Sequence, residues 1–452
     1  MADRRTMVFE QMPVRQAVLK QVIPAVFSQM ITLFYSLADT YFVGMLNDPA
    51  QTAAITIVYP SFVMLTAISN LFGIGGASLI ARKLGRKDTQ AAKEVSSISF
   101  WLELMAALLF SFFFLLFARP ILTLCGAAEA TYPFCYDYAR WVIVFGGVPT
   151  IMNTLLANLV RAEGAAASAS FGISLGGILN ILLDPIFILP KFLGMGVVGA
   201  GTATALSNLI SMGYFLLYLY FRKGQTILQI HPNHLKQTAA HLKEILSIGF
   251  PSALQYALTV VAVAAQSAFV AKYATEATAA LGIVKKLDQL PLYFSIGVAN
   301  GLLPLLAYNH SAGNETRRRD CFRFGASISV SFALLCVIVY EGFAPQLTTL
   351  FIGDQQTIAY GAAFLRRMVL AMPFMAFCYP MTIQFQAMGK VREALTVSIL
   401  RKGILDIPLL FLMDRLFPLY GCMWVQPIVD CFSLIVASIL YLRLMKGVNH
   451  EI

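Results

Sequence analysis

The sequence predicts an all-α polytopic membrane protein with twelve transmembrane helices in two six-helix lobes. Three observations support this. The 452 residues are 58% hydrophobic and only 12% charged, with a mean hydropathy of +0.72, whereas soluble domains are roughly 45–50% apolar and about a quarter charged. Apolar stretches of about 20 residues, the length that crosses a bilayer, recur along the whole chain. The second half also echoes the first at a nearly constant offset.

The first six spans are read at 22–45, 53–81, 95–117, 138–160, 167–190 and 196–221. The second six are read at 247–271, 279–307, 322–344, 359–388, 395–413 and 420–442. Several exceed one bilayer thickness, which predicts tilt or overhang. Residues 222–245 form the longest hydrophilic stretch and are read as a solvated linker between an N-lobe, 1–221, and a C-lobe, 246–452. His231, His234 and His241 lie in it at spacings of three and seven, which fit a polar linker better than a metal site. Residues 1–20 contain no short apolar core and no small-residue cleavage site, so the first span is expected to act as its own insertion signal. The seven cysteines show no CxxC or metal spacing. Cys125 and Cys135 share the outer side and are read as free or buried thiols rather than a bridge.

The formal charge of +10 reflects topology. With the N-terminus inside, the inner side receives Arg4, Arg5, Arg15, Lys20, Arg82, Lys83, Arg86, Lys87, Lys93, Arg161, Arg222, Lys223, Lys236 and Lys243 from the first half and linker. From the second half it receives Arg317, Arg318, Arg319, Arg323, Lys390, Arg392, Arg401, Lys402, Arg443 and Lys446, making 24 of the 33 basic residues. The positive-inside rule then places both termini in the cytoplasm. Charge distributed in this way argues against a nucleic-acid partner.

The halves match at five places. Ile23-Pro24 opens the first span as Phe250-Pro251 opens the seventh. Gly75 to Leu79 parallels Gly301 to Leu305 at an offset of 226, as Gly85-Arg-Lys-Asp88 parallels Ser311-Ala-Gly-Asn314 and Tyr138-Ala-Arg140 parallels Phe364-Leu-Arg366. Arg161-Ala-Glu-Gly164 matches Gln386-Ala-Met-Gly389 at 225. An even number of spans per half gives both halves the same orientation, related by a pseudo-twofold axis along the membrane normal. Transporters built in this way hold their cavity between the halves and alternate access by rocking.

A carboxylate within a membrane span costs several kcal/mol and marks a functional position. Asp184 is such a residue, in Asn180-Ile-Leu-Leu-Asp184-Pro185 of span five. Asn180 is four residues earlier and shares its helix face, and Pro185 removes a backbone N–H beside the acid. Asp39, in Tyr35-Ser-Leu-Ala-Asp39-Thr-Tyr-Phe-Val-Gly44, lies ~9 Å below the outer end of span one at a 1.5 Å rise. Thr202 of span six reaches a comparable depth. Asp39, Asn180, Asp184 and Thr202 therefore form a candidate site for cation or proton coupling, and they would be the ligands of Na⁺ if Na⁺ is the ion, because hard cations take oxygen donors. Tyr35, one turn before Asp39, is a candidate cavity residue. Of the other buried acids, Glu103 is read as a second proton site or a packing contact, and Asp406 as a local pair with Lys402. Asp288 is expected to pair with Lys285 or Lys286, and Asp430 stands isolated. Span seven holds no acid from Pro251 to Ala271, so coupling is expected in the first half.

Taken together, the chain resembles the multidrug and toxic compound extrusion (MATE) family. The matching elements are Asp39-Thr-Tyr-Phe-Val-Gly44, Arg161-Ala-Glu-Gly164, Asn180-Ile-Leu-Leu-Asp184-Pro185-Ile-Phe-Ile, Gly301-Leu-Leu-Pro304 through Ala307-Tyr308-Asn309, and Gly389. The resemblance covers all the spans. It implies two lobes in a V and export of cationic, amphipathic organic compounds by alternating access against inward H⁺ or Na⁺, with no other cofactor. It places coupling acids at Asp39 and Asp184, amide and hydroxyl ligands at Asn180 and Thr202, the proline bend of span one at Pro24, and a cavity tyrosine at Tyr35. The missing acid in span seven departs from members with a C-lobe cation site and favours the bacterial or archaeal N-lobe type. The expected setting is a prokaryotic inner membrane, with the protein acting as a monomer.

Two other transporters share parts of this pattern. A lipid-linked precursor flippase of related fold would need a more cationic cavity. A major-facilitator antiporter also has twelve spans, and Ala81-Arg-Lys-Leu-Gly85-Arg-Lys imitates its basic loop. An enzyme is not expected, because His231, His234, His241, His310 and His450 all fall in inner loops or the tail.

Overall fold

A computed structural model describes residues 7–448. Arg4, Arg5 and His450, together with the side chain of Lys446, lie outside the described residues. The helices of the first half are α1 Val14–Gly44, α2 Pro49–Gly85, α3 Thr89–Leu116, α4 (Tyr132–Phe145 and Gly147–Ala162, bent by 45°), α5 Ala166–Ile188 and α6 Val197–Phe221. Those of the second are α7 Thr238–Val270, α8 Thr275–Ser311, α9 Glu315–Thr349, α10 Gln355–Ala387, α11 (Val391–Ile399 and Asp406–Leu416) and α12 Gly421–Val448. Ten helices are each long and apolar enough to cross a bilayer, and the bent pair of α4 makes eleven. The segment read as span eleven differs, because a π-helical turn at Leu400–Ile404 divides α11 into two short pieces. Counting α11 as one broken helix restores the twelve expected from the sequence.

Local chemistry starts these helices where the pattern requires. Asp48 accepts from the backbone N–H of Ala50 at 2.9 Å and leads into Pro49 at the first turn of α2. Asp88 caps α3 by accepting from Ala91 N at 3.0 Å, and Asn314 caps α9 by accepting from Arg317 N at 3.2 Å. These two caps stand at matching positions of the repeat, so the weak match between loops in the sequence corresponds to a shared structural role.

The halves meet near the face that carries the N-terminus. There α2 packs on α7 with their backbones in contact, since a Cβ on Gly249 would overlap the Leu71 carbonyl and one on Gly75 the Ile245 carbonyl. On the other side of the seam α1 packs on α8, where Gly301 lets the backbone of Val22 approach so that an added Cβ would stand 2.7 Å from its Cα. Ser78 Oγ donates to Gln386 O at 2.9 Å, and Arg82 pairs with Glu244 at 3.0 Å. Among the described residues, every side-chain hydrogen bond and ion pair between the two helical halves lies toward this face. The opposite ends carry none, as in the arms of a V.

The linker is less solvated than its composition implies. Ser96 Oγ donates to Gln229 O at 3.0 Å, Ser97 Oγ to His231 O at 2.6 Å, and Trp101 Nε1 to Ile230 O at 3.0 Å, which stitches the segment along α3. Glu163 accepts from Thr226 Oγ1 at 2.7 Å and Ile227 N at 3.2 Å. His241 already belongs to α7 and contacts Glu94 at 3.2 Å.

Two glycines test the seam. Gly249→Ala places a methyl against backbone that cannot turn away. Melting of the purified protein in detergent should fall by several degrees, the response to an overpacking cost of ~1–3 kcal/mol. Gly213→Ala in α6 meets open space and should be neutral or stabilising, by up to ~1 kcal/mol of helix propensity. Equal melting of the two variants would contradict the contact.

Candidate functional site

The site forms where α1, α5 and α6 of the first half converge. Gly177 sits three residues before Asn180 on the same face of α5, and a Cβ there would stand 2.6 Å from Ile31 Cγ2 and 3.5 Å from Tyr35 Cδ1. The small residue lets α5 lie directly on α1 and brings Asp184 toward Asp39, one turn beyond Tyr35. α5 stays helical through Pro185, whose missing N–H leaves the Ile181 carbonyl without its helical donor.

All three polar residues of this junction are buried, with exposures of 8% for Asp39, 1% for Asn180 and 0% for Asp184. Asn180 Nδ2 donates to Asp184 Oδ1 at 3.3 Å and to Thr204 Oγ1 at 3.2 Å. The Tyr138 hydroxyl donates to Asp39 Oδ2 at 3.5 Å. The two carboxylates lie within electrostatic reach of each other, and of Tyr35 and Tyr138. Asp39 Oδ1, Asn180 Oδ1 and Asp184 Oδ2 are buried with no hydrogen-bond partner. Among the described residues no basic side chain pairs with either acid. Two acids and three partnerless oxygens, all hard donors, suit a proton or a small hard cation.

Thr202 stands apart from this cluster. Its hydroxyl donates to Val198 O of its own helix at 2.8 Å, while Thr204 makes the contact with Asn180. Residues two apart on an α-helix point about 200° away from each other. The depth inferred for Thr202 also fits Thr204, but the helix face does not. Tyr35 is half-buried, and Pro24 lies within a continuous α1 rather than at a break. Tyr138 served in the sequence only as a repeat marker, and its side chain reaches Asp39 across the bundle. Behind the site a polar seam joins α4 to α6: Asn153 Nδ2 donates to Asn208 Oδ1 at 3.0 Å, and Ser211 Oγ donates to Asn153 Oδ1 at 2.9 Å and Gly172 O at 2.6 Å. Glu103 is 0% exposed, with the Ser69 side chain beside its carboxyl.

The second half places charge at matching positions and pairs one of the two acids internally. At the 226 offset Asn180 falls on Asp406 and Thr204 on Asp430. Asp430 is not isolated: it accepts from Arg401 Nε at 2.8 Å, with both groups buried, and Arg401 lies 4.2 Å from the Tyr379 ring centroid. Lys402 does not pair with Asp406. The π-helical turn gives Lys402 a non-helical φ of −136°, breaks the four-residue register, and sends its ammonium to Gln426 Oε1 at 2.7 Å. Gln426 in turn donates to Asp430 Oδ2 at 2.6 Å. Nor does Asp288 pair with Lys285, whose ammonium donates to Val263 O and Ser267 Oγ, each at 3.2 Å. Arg401 and Lys402 thus lie within the helical bundle, and the inner-side charge excess rests on the remaining basic residues.

Between the halves Tyr35, Tyr59, Tyr256 and Tyr379 all lie within electrostatic reach of Tyr293. Each is at least partly exposed, so tyrosines of both halves gather in this region.

The MatE family model matches residues 24–186 and 251–412, one stretch per half, beginning at the paired prolines Pro24 and Pro251. Multidrug export protein MepA of Staphylococcus haemolyticus is 32% identical over 426 residues, covering 94% of this chain and 92% of that protein. MepA of Staphylococcus aureus is 30% identical over 442 residues, covering 97% and 96%. Among solved structures, a multidrug resistance MATE family transporter of the MOP superfamily in its outward-facing conformation superposes with a TM-score of 0.90 at 23% identity, covering 99% of each chain. A MOP superfamily transporter from Pyrococcus furiosus superposes at 0.89 with 24% identity, covering 98% of each. Both structures share the two-lobe helical fold. The chain belongs to the MatE family and is a multi-pass membrane transporter, not an enzyme.

Proposed function

We propose that this protein exports structurally varied organic cations from the cytoplasm in antiport with inward-moving H⁺ or Na⁺. The observation that carries this reading is the pair of buried acids in the first half, with three partnerless oxygens and no basic partner. Such a site carries net negative charge until a cation enters, and in an apolar surrounding that charge favours cation capture. Relatives named as multidrug export proteins support the export of varied drugs. The tyrosines gathered from both halves support a cationic cargo, because aromatic faces attract cations of many shapes.

In this reading both termini are cytoplasmic in a prokaryotic inner membrane, the protein acts as a monomer, and the seam closes the cytoplasmic side. A coupling cation entering from outside neutralises Asp39 and Asp184. With that charge matched, the buried α1–α5 junction no longer holds uncompensated charge, and the outer arms close as the cytoplasmic seam opens. Release of the ion inside restores the charge and reverses the preference. Ion binding biases the equilibrium only by its differential affinity for the two states, and the buried acid pair supplies that difference.

Three measurements test this. Asp39→Asn and Asp184→Asn should each reduce gradient-driven efflux of a fluorescent organic cation from vesicles to background at normal expression, and full transport by both would remove the central claim. Efflux under a pH gradient alone, compared with a Na⁺ gradient alone, identifies the ion, and export that ignores both gradients would defeat the antiport reading. Thr204→Ala should weaken coupling-ion affinity about ten-fold, the lower end for loss of a supporting contact at an ion site, while Thr202→Ala leaves it unchanged. The reverse order would return Thr202 to the site.

A further inference from the structure

The segment before α1 joins the two halves. Residues Met7–Gln11 form a π-helical turn that leads through Pro13 into α1. Val8 and Phe9 are both 0% exposed. The Phe9 ring lies against Tyr308 of α8, with centroids 4.8 Å apart. It also lies against Gly164 of the first half, where an added Cβ would stand 3.2 Å from Phe9 Cζ. Gly164 has a φ of +86°, a backbone conformation that favours glycine, and the missing side chain lets the ring lie close. Gln21 of α1 holds the same turn by donating to Gly164 O at 3.1 Å. The Arg161-Ala-Glu-Gly164 motif thus ends in a socket for Phe9.

The fastenings on the other side come from the second half. Arg317 Nε donates to Phe9 O at 2.7 Å, and its Nη2 donates to Met12 O at 2.6 Å and Val8 O at 3.4 Å. The Tyr308 hydroxyl donates to Glu10 Oε1 at 2.6 Å. One guanidinium therefore gathers three carbonyls of a short segment, while the ring of that segment fills a socket in the opposite half. If the halves part at this face, the ring cannot remain on Gly164 while the carbonyls remain on Arg317.

We propose that residues 7–12 form a latch across the cytoplasmic seam, fastened by Arg317 and Tyr308 on one half and by the Gly164 socket on the other, and that it releases whenever the transporter opens inward. The proposal rests on the transport reading for its inward-opening state, and its test uses neither an ion gradient nor cargo. Ser78, fully buried at the seam, is replaced by cysteine as a reporter. Its labelling by a membrane-impermeant maleimide in inside-out vesicles is followed by mass spectrometry of the peptide carrying that position.

Arg317→Ala should raise the labelling rate about ten-fold or more, the response expected when a charged donor loses its acceptors. Phe9→Ala should act in the same direction. Tyr308→Phe keeps the ring and removes only the hydroxyl, so a smaller rise, about three-fold, is expected even if Arg317→Ala is poorly folded. A Glu10→Cys, Tyr308→Cys pair joined by a short bifunctional thiol reagent should label more slowly than the parent and stop exporting. Parental labelling rates in Phe9→Ala and Tyr308→Phe, or normal export by the cross-linked protein, would overturn the latch. Labelling only from the opposite side of the membrane would also overturn the proposal, because the seam would then not face the cytoplasm. Failure of Asp39→Asn to stop export, with the labelling shifts intact, would count against the coupling reading alone.

Discussion

A carboxylate in a membrane interior persists only if a counter-charge, hydrogen-bond donors, water or a transported ion surrounds it, and the two halves meet that condition differently. In the second half the counter-charges are built in. Arg401 pairs with Asp430, Gln426 bridges Asp430 to Lys402, and Tyr379 lies beside the guanidinium. In the first half Asp39 and Asp184 receive only a phenol and an amide, and oxygens on both acids and on Asn180 stay partnerless. The matched positions, Asn180 with Asp406 and Thr204 with Asp430, place these two arrangements at the same point of a duplicated framework. The contrast between them is therefore chemical, within an architecture the two halves share.

Glycine gives that framework its close contacts. Membrane helices gain little from burying apolar surface against one another, so backbones must approach closely for packing and polar contacts to act. Gly249 and Gly75 do this between α2 and α7, and Gly177 does it between α1 and α5. The first two close the seam and the third assembles the acid pair. α1 takes part in both regions, because it packs on α5 beside the acids and on α8 at the seam. Asp39 thus lies on a helix whose other end packs at the seam.

Much of this was legible in the sequence, for identifiable reasons. Span positions follow from hydropathy, which depends on composition over many residues and tolerates local error. Asp184 stood out because no other charge lies near it along span five, and its relation to Asn180 follows from helical periodicity alone. Asp39 and Asp184 could be set at similar depth by counting residues from the span ends. Counting gives depth without rotation, so it cannot tell Thr202 from Thr204, and only the fold shows which of them contacts Asn180. Periodicity also suggested a Lys402–Asp406 pair, and it failed where the π-helical turn interrupts the helix. Tyr138, Asn153 and Asn208 were hidden for another reason: each acts on a helix distant in sequence, and a lone polar residue in a span gives no sign of its neighbour.

The asymmetry of charge also gives each half a distinct part in the proposed cycle. In the second half Asp430 is answered internally by Arg401 and Gln426, so in the proposed cycle that acid needs no ion to remain desolvated. The α1–α5 junction of the first half carries two acids without a base, so in the proposed cycle its cost of closure depends on whether a cation is present. Alternating access needs one element whose preference changes on ion binding and another that it can move against. A pair of ion-dependent halves would have to fill both sites before either arm could close. In the proposed cycle, filling the single site of the first half is enough, and the second half is the partner it moves against across the seam.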